Sequence, residues 1–446
     1  MLWVKSKLNN LDRKLKNVKK VERFWDLDFV LPEIGKDFIV SLKEGGTPCL
    51  HSQKIGESIG IDNLIFKDET KNPTNSFKDR VATLLISHAR SWGFDKVICV
   101  SNGNQGASIA AYTSIEGMNC INIFPNSIDI GKKAQMIAYN SETIEKGNTI
   151  DDILMLSLDD KYKDYYQCTP EFNPLTIEAQ KTISYEIFLQ IGQIDWIVIP
   201  MGSGELLVSI WKGFKELREA GIIDEIPKLI GVQSQSLAPI ALEYLQETSY
   251  AELDTIVKES LASGILVKDP IYKDLAIKSI KESNGTVVIV PENNILIALE
   301  DLIEKEGIFA EPTSALTLAA IYILSEKDTF DEKEKITCLI TGSGLKAPYV
   351  LEALSSRTKT MKMGGILSTK LKILSQISLS GSKGTYGKKI RDAIDSVSLP
   401  AIYQHLKDLE AKELIIRKKK GKNVLYFLTE KGKKVLDALD ILITLL

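Results

Sequence analysis

The sequence predicts an α/β architecture of two lobes built on parallel sheets, followed by a small basic domain of helices and a hairpin. Three observations carry that expectation. From about residue 60 to 350, apolar β-rich runs alternate with amphipathic helical patterns, as in doubly wound sheets. The runs Lys96–Val100, Trp196–Pro200, Lys228–Val232, Thr286–Val290 and Thr337–Thr341 are apolar throughout rather than alternating, which fits strands covered on both faces. Charge then changes sign along the chain. Residues 365–446 hold 16 Lys/Arg against 8 Asp/Glu, a net of +8, which leaves −11 for the first 364 residues out of the overall −3. Such asymmetry implies two different jobs. A chain of 446 residues also exceeds one ordinary core. The expected division is 1–358 for the two lobes, the smaller at about 90–190, then a linker at 359–368 and a domain at 369–446.

Composition narrows the function. The content of 44% hydrophobic and 26% charged residues is that of a soluble globular protein. The five cysteines (Cys49, Cys99, Cys120, Cys168, Cys338) are scattered, without a Cys-x-x-Cys pair, which argues for reduced thiols and a cytoplasmic location. Cys99 and Cys338 fall inside apolar runs and read as core thiols. With three histidines in all, no metal centre is expected. The lysine- and asparagine-rich start lacks the apolar core of a signal peptide, and no apolar run is long enough to span a bilayer.

The strand-like stretch Leu64-Ile65-Phe66 leads into a loop of Asn72, Pro73, Thr74, Asn75 and Ser76, and Lys78 then opens a helical pattern through Ala89. A lysine at a helix N-terminus sits in a positive field that disfavours its ammonium form. The uncharged amine is the form that adds to an aldehyde. Ser76 or Asn75 is expected to cap the helix. A lone lysine here would more often be a solvated surface residue, so its neighbours decide.

Three later strand ends carry polar, glycine-rich turns into helices, where open α/β sheets bind ligands. The first is Ser101-Asn102-Gly103-Asn104-Gln105-Gly106, the second Gly202-Ser203-Gly204-Glu205-Leu206, the third Thr341-Gly342-Ser343-Gly344-Leu345-Lys346. Glycines admit a ligand close to the backbone, and N–H groups at a helix start favour an anion. Each turn alone is also compatible with a plain helix cap or loop.

Taken together, Lys67-Asp68-Glu69, Asn72-Pro73-Thr74 and Ser76-Phe77-Lys78-Asp79-Arg80 resemble the lysine motif of threonine synthase and its relatives, pyridoxal 5'-phosphate enzymes of the tryptophan-synthase-β-like fold (fold type II). Glu44–Pro48, Glu178–Thr182 and Glu306–Ala315 match as well, so the resemblance covers roughly residues 20 to 350. It implies that Lys78 holds the cofactor and shuttles protons, and that Asn104 touches the cofactor's phenolic oxygen. It places Ser101, Asn102 and Gln105 near the substrate carboxylate. It further implies that Gly202, Ser203, Gly204, Glu205 and Leu206 grip the cofactor phosphate, and that Thr341 faces the pyridine nitrogen. The implied reaction takes O-phosphohomoserine and water to threonine and phosphate, in a homodimer. A different β- or γ-elimination or replacement, such as cysteate synthesis from phosphoserine, is the alternative.

Several positions depart from the family pattern. Glu205 and Leu206 stand where many relatives carry a glycine and an asparagine, and Gln105 where they often carry threonine. Relatives have a segment like Asn-Ser-x-Asn-Pro-x-Arg where this chain has Pro170-Glu171-Phe172-Asn173-Pro174-Leu175-Thr176. Thr176 thus replaces a phosphate-binding arginine, and Glu171 adds a negative charge. Lys132, Lys133 and Lys181 are the candidates to compensate.

In the basic tail, Thr369–Ser378, Thr385–Ile394 and Leu399–Glu413 read as helices. Two strands joined at a basic glycine turn follow within Leu414–Leu428, and a closing helix starts near Thr429. That order resembles a winged helix-turn-helix. Ser398, Tyr403, Gln404, His405 and Lys407 are the candidates to read base edges of double-stranded DNA, with Arg417, Lys418, Lys419, Lys420 and Lys422 neutralising phosphates. An oligomerisation module is the other reading. In a third, the chain regulates transcription and the enzyme-like part senses an amino acid or the cofactor.

Overall fold

The computed structural model describes residues 4, 10–18, 20–246, 260–347, 362–381, 384–394, 399–420 and 423–436. It divides into two compact units, Met1–Leu351 and Glu352–Leu446.

The strands of the first unit are, in chain order, β1 (Cys49–His51), β2 (Asn63–Asp68), β3 (Lys96–Val100), β4 (Asn119–Phe124), β5 (Glu142–Glu145), β6 (Tyr166–Gln167), β7 (Trp196–Pro200), β8 (Lys228–Ser234), β9 (Thr286–Val290) and β10 (Lys335–Ile340). They form a six-stranded sheet, β1-β2-β10-β7-β8-β9, and a four-stranded sheet, β5-β4-β3-β6. Every pair is parallel except the antiparallel edge β1·β2. The centre of the larger sheet is buried throughout, as with Leu64, Ile65, Phe66, Ile197, Val198, Cys338 and Leu339, so these runs carry no polar alternation.

The order of the larger sheet positions the site. β10 enters between β2 and β7, with Ile340 level with Asp68 and Cys338 level with Val198. The turns that follow these three strands therefore emerge side by side at one carboxyl edge. Ser76 and Gly342 bridge across it, and the Phe77 N–H donates to the Thr341 carbonyl at 3.0 Å. The helix Lys78–Ser91 buries Val81, Leu84, Leu85 and Ile86 against Val97, Cys99, Ile109 and Tyr112, next to the smaller sheet.

The anticipated side-chain cap of that helix is absent: neither the Ser76 nor the Asn75 side chain accepts from its first turn, Phe77 occupies the N-cap, and Ser76 offers its backbone carbonyl, which accepts from the Asp79 N–H at 3.3 Å. Asn75 instead takes a left-handed φ of 64°, which asparagine tolerates. The loop is closed by Asp79, whose carboxylate accepts from the Thr74 N–H at 2.7 Å and the Thr74 hydroxyl at 2.6 Å.

One residue further, Arg80 is fully buried in a cluster of charges. Its Nε and Nη2 donate to Glu69 at 2.8 and 2.7 Å, and its Nη1 and Nη2 donate to Glu186 at 2.6 and 2.8 Å. Lys67 donates to Glu186 at 2.8 Å and to the Thr47 carbonyl at 2.6 Å. Two cations thus meet two anions with their hydrogen bonds made, the condition under which buried charge is tolerated. Burial alone would raise the Glu186 pKa, but Arg80 and Lys67 outweigh it and hold the group well below its usual value.

In the second unit, helices Lys362–Leu379, Gly387–Ala393 and Leu399–Ala411 precede an antiparallel hairpin of β11 (Ile415–Lys420) and β12 (Asn423–Leu428), and residues 430–436 are helical. Its core gathers Ile373, Leu374, Ile377, Ile390, Ile402, Leu406, Leu409, Ile415 and Tyr426. Thr385 bridges to Tyr426, tying the segment before the second helix to the hairpin. The first helix starts at Lys362 rather than near Thr369; Gly364-Gly365 reads as a linker on propensity alone. Among the described residues, no helix is long and apolar enough to cross a membrane.

Arg80→Met leaves two carboxylates buried without their guanidinium and should cost about 3–5 kcal/mol, read from the urea midpoint. A lowered Glu186 pKa contributes stability above its unfolded value of 4.5 that is lost as pH falls through the folded value. Glu186→Gln is therefore expected to flatten the decline of Tm at acid pH relative to the unsubstituted chain.

Candidate active site

The three turns at the carboxyl edge of the larger sheet, and the turn after β3, line one cavity. Phe77, Lys78, Ser101, Asn102, Asn104, Gln105, Gly202, Ser203, Gly204, Glu205, Leu206 and Thr341 all border it. Every residue the resemblance assigned to the cofactor or to the substrate carboxylate is among them.

Lys78 begins its helix and its side chain is 13% exposed. Its Nζ lies 3.2 Å from Glu205 Oε2 and 4.9 Å from the centre of the Phe77 ring. The helix field considered in the sequence is thus joined by a carboxylate that accepts from this amine. Glu205, which stands where many relatives carry a glycine, has partners for both oxygens: its Oε1 accepts from Gln180 at 2.7 Å and its Oε2 from Lys78. The side chain points to these donors.

The turn Gly202–Gly204 feeds the helix Glu205–Glu219, whose N-cap is Gly204 at φ +87°, with no side-chain cap. Its first N–H groups have no intrahelical acceptor. A Cβ on Gly202 would sit 3.2 Å from the Ile265 Cα, and one on Gly204 3.1 Å from the Ala276 Cβ, so bulk is excluded from this turn.

Asn104 starts the helix Asn104–Glu116. Its amide donates to both oxygens of Glu311 at 3.2 Å and its Oδ1 accepts from Lys346 at 3.1 Å. Ser101 Oγ accepts from the N–H groups of Gly103 and Gly106, which shapes the turn. Gln105 donates to the Cys168 carbonyl, while its Oε1 is buried without a hydrogen-bond partner. The Thr341 hydroxyl meets that of Ser314 at 2.9 Å. Burial lowers Lys346 to about 8, against the pull of Asp79 and Glu311, and raises Asp79 to about 6, against the pull of Lys346.

Of the lysines named as compensators, only Lys132 borders the cavity, paired with Asp129 at 2.5 Å and Glu311 at 3.7 Å. Lys133 pairs with Glu145, and Lys181 is buried against Glu178 and Glu216. Thr176 is fully buried and does not border the cavity, but Glu171 does. Sequence reasoning gave no role to Glu311, although it lies in the matched segment Glu306–Ala315. The Pro312 that begins the following helix marks a helix start there and was the available signal. Ile265 and Val267, which also line the cavity, come from a stretch with no motif.

Comparison with known proteins accounts for this arrangement. Residues 40–342 match the family model described as pyridoxal-phosphate dependent enzyme. The chain belongs to that family. It is 38% identical to a threonine synthase of Methanocaldococcus jannaschii over 71% of this chain and 79% of that one. It is 35% identical to a threonine synthase of Synechocystis sp. over 71% and 81% respectively. A solved O-ureido-L-serine synthase superposes with a TM-score of 0.58 at 17% identity, covering 73% of this chain and 96% of that one; it shares the fold.

The cavity fits the family's cofactor on its own evidence. A sequestered primary amine, an uncapped helix N-terminus behind a turn closed to side chains, and a hydroxyl at the end of the strand between them are the groups that an aldehyde, a phosphate and a ring nitrogen require.

In the second unit, Tyr403, Gln404 and Lys407 are exposed on one face of the helix Leu399–Ala411, opposite Ile402, Leu406 and Leu409. His405 is half-buried, and Arg417, Lys418 and Lys419 are exposed on β11. Arg417 pairs with Glu410 at 3.1 Å, and Lys418 lies over the Phe427 ring. Lys420 ends β11. Ser398 and Lys422 lie outside the described residues. Among the described residues, no group of three or more His, Cys, Asp or Glu is placed to hold a metal ion.

Because Gly204 has φ +87° and a crowded Cβ position, Gly204→Val should lower affinity for added pyridoxal phosphate at least about tenfold, measured by fluorescence titration of the cofactor-free protein.

Proposed function

We propose that the first unit is a threonine synthase, converting O-phosphohomoserine and water to threonine and phosphate. The observation that carries the reading is the convergence of Lys78, Asn104, the Gly202–Gly204 turn and Thr341 on one cavity, in a chain whose relatives at this level of identity are threonine synthases.

Pyridoxal phosphate, when bound through Lys78, supplies the electron sink that acidifies the substrate's Cα and Cβ hydrogens. Lys78 then carries protons at Cα and Cβ as general base and acid, and Glu205 keeps its amine within the cavity. The N–H groups after Gly204 would hold the cofactor phosphate, and Thr341 would offer its neutral hydroxyl to the ring nitrogen. Asn104, whose amide now donates to Glu311 and whose Oδ1 accepts from Lys346, would turn its amide to the phenolic oxygen. Ser101, Asn102 and Gln105 receive the substrate carboxylate at the start of the helix Asn104–Glu116, where the backbone favours an anion.

A second reading concerns the tail: residues 369–446 are a winged helix-turn-helix that binds double-stranded DNA. The exposed face Tyr403, Gln404 and Lys407 supports it, together with the basic row Arg417–Lys419. In the homodimer that the family resemblance implies, two such domains would address paired half-sites.

Purified protein with pyridoxal phosphate should absorb in the visible and release phosphate from O-phosphohomoserine faster than from O-phosphoserine. Lys78→Ala should lose both properties; a colourless wild type would end the enzyme reading. For the tail, replacing Arg417, Lys418 and Lys419 by alanine should reduce the slope of log affinity for duplex DNA against log salt by about 3. Salt-independent binding would contradict it.

A further inference from the structure

Lys346 is buried and does not border the cavity, but it touches Asn104, which does. Its Nζ donates to Asn104 Oδ1 at 3.1 Å and to Ser76 Oγ at 3.4 Å. The main chain is held as well: the Lys346 N–H donates to the Ser343 carbonyl at 3.2 Å, and the Ser343 N–H to the Asn75 carbonyl at 3.0 Å. From the smaller lobe, a Cβ on Gly131 would stand 2.7 Å from the Lys346 carbonyl oxygen, so the start of the helix Ile130–Ala138 abuts this residue. Lys346 therefore joins the loop before Lys78, the Thr341 turn and the Asn104 turn at one point.

A carboxamide rotated by half a turn keeps its shape and exchanges its acceptor for its donor, so its neighbours decide which end a ligand meets. An ammonium has three donors and no acceptor, whereas a carboxylate accepts. Around Asn104 the two stand at opposite ends. Lys346 takes Oδ1, and both oxygens of Glu311 take the amino group at 3.2 Å. Glu311 borders the cavity and Lys346 does not, so the amino end is the one on the cavity side. That end carries two hydrogens; one can remain on Glu311 while the other serves the cofactor.

We propose that Lys346 is a positioning residue: its ammonium holds the Asn104 carbonyl away from the cavity, so that the cofactor's phenolic oxygen meets an N–H donor and not a lone pair. This rests on the reading of Asn104 as the partner of that oxygen, and it does not depend on the substrate. A donor to the ionised form of the oxygen favours that form. The lock requires the proton on Lys346. Burial pushes the Lys346 amine down to about 8; Asp79 and Glu311 pull it back up, and Lys132 adds to the fall. The ammonium is thus lost as pH rises through about 8. A neutral amine also accepts, and the amide is then free to turn.

The test uses the protein loaded with pyridoxal phosphate, without substrate, its absorbance scanned across about pH 8. The bound cofactor absorbs in the visible while its phenolic oxygen is ionised and in the near ultraviolet once that oxygen takes the proton it shares with the neighbouring nitrogen. In the wild type, part of the visible band should move to the near ultraviolet as pH rises through about 8, a direction opposite to simple ionisation of the cofactor. Asn104→Ala should favour the near-ultraviolet form on both sides of that pH, without a step. Lys346→Met should resemble it, and the double variant should be shifted no further than Asn104→Ala. Both single variants should bind pyridoxal phosphate about tenfold more weakly. If Lys346→Met does not fold, the wild type and Asn104→Ala decide alone, with a step expected in the first and absent from the second. A step that survives in Asn104→Ala, no step in the wild type, or a Lys346→Met spectrum equal to the wild type overturns the proposal. An Asn104→Ala spectrum equal to the wild type overturns the reading of Asn104, and the proposal with it.

Discussion

The buried guanidinium of Arg80 fixes where chemistry can happen in this chain. It is two residues past Lys78 and bonds to Glu69, at the end of β2, and to Glu186, on the helix Thr182–Ile191. A planar fork with five donors suits two carboxylates in a way that lysine would not. The first turn of the Lys78 helix is thereby tied to two other elements, and Lys67 draws Thr47 into the same cluster. Buried ion clusters contribute little net stability compared with apolar packing. What this one supplies is position, because a reactive amine displaced by about 1 Å loses much of its effect.

Sheet order does the rest of the assembly. Since β10 lies between β2 and β7, segments from residues 69–78, 201–206 and 341–346 become neighbours, although they are far apart in the chain. The smaller sheet contributes Ser101–Gln105 from the end of β3. Polar groups gathered at the carboxyl edge meet backbone N–H groups of three helices that start there, Lys78–Ser91, Asn104–Glu116 and Glu205–Glu219, so the edge favours anions. Two acidic residues of the cavity are managed locally: Glu205 by Gln180 and Lys78, Glu311 by Asn104 and Lys132.

Much of this was legible in the sequence because it is carried by local pattern. The apolar runs fixed β3, β7, β8 and β9 at or close to their observed limits, and the glycine-rich turns announced the strand ends that border the cavity. What was not legible depends on distance in the chain. No pattern near Glu205 reveals that Gln180 and Lys78 will satisfy it, and its apparent conflict with an anion site disappears only when all three are seen together. The cap expected at Ser76 or Asn75 failed for a tertiary reason as well: the bridge from Ser76 to Gly342 occupies the loop, and Asp79 closes it instead. In the tail, Gly364-Gly365 suggested a break that the helix from Lys362 runs through.

The central claim is that the amine of Lys78, and no other, carries the cofactor. Its most direct test is borohydride reduction of the protein loaded with pyridoxal phosphate, followed by proteolysis and mass mapping. A single stoichiometric pyridoxyl adduct on the peptide containing Lys78 is expected. An adduct on Lys132 or Lys346, which approach the same site, or no adduct at all, would contradict it.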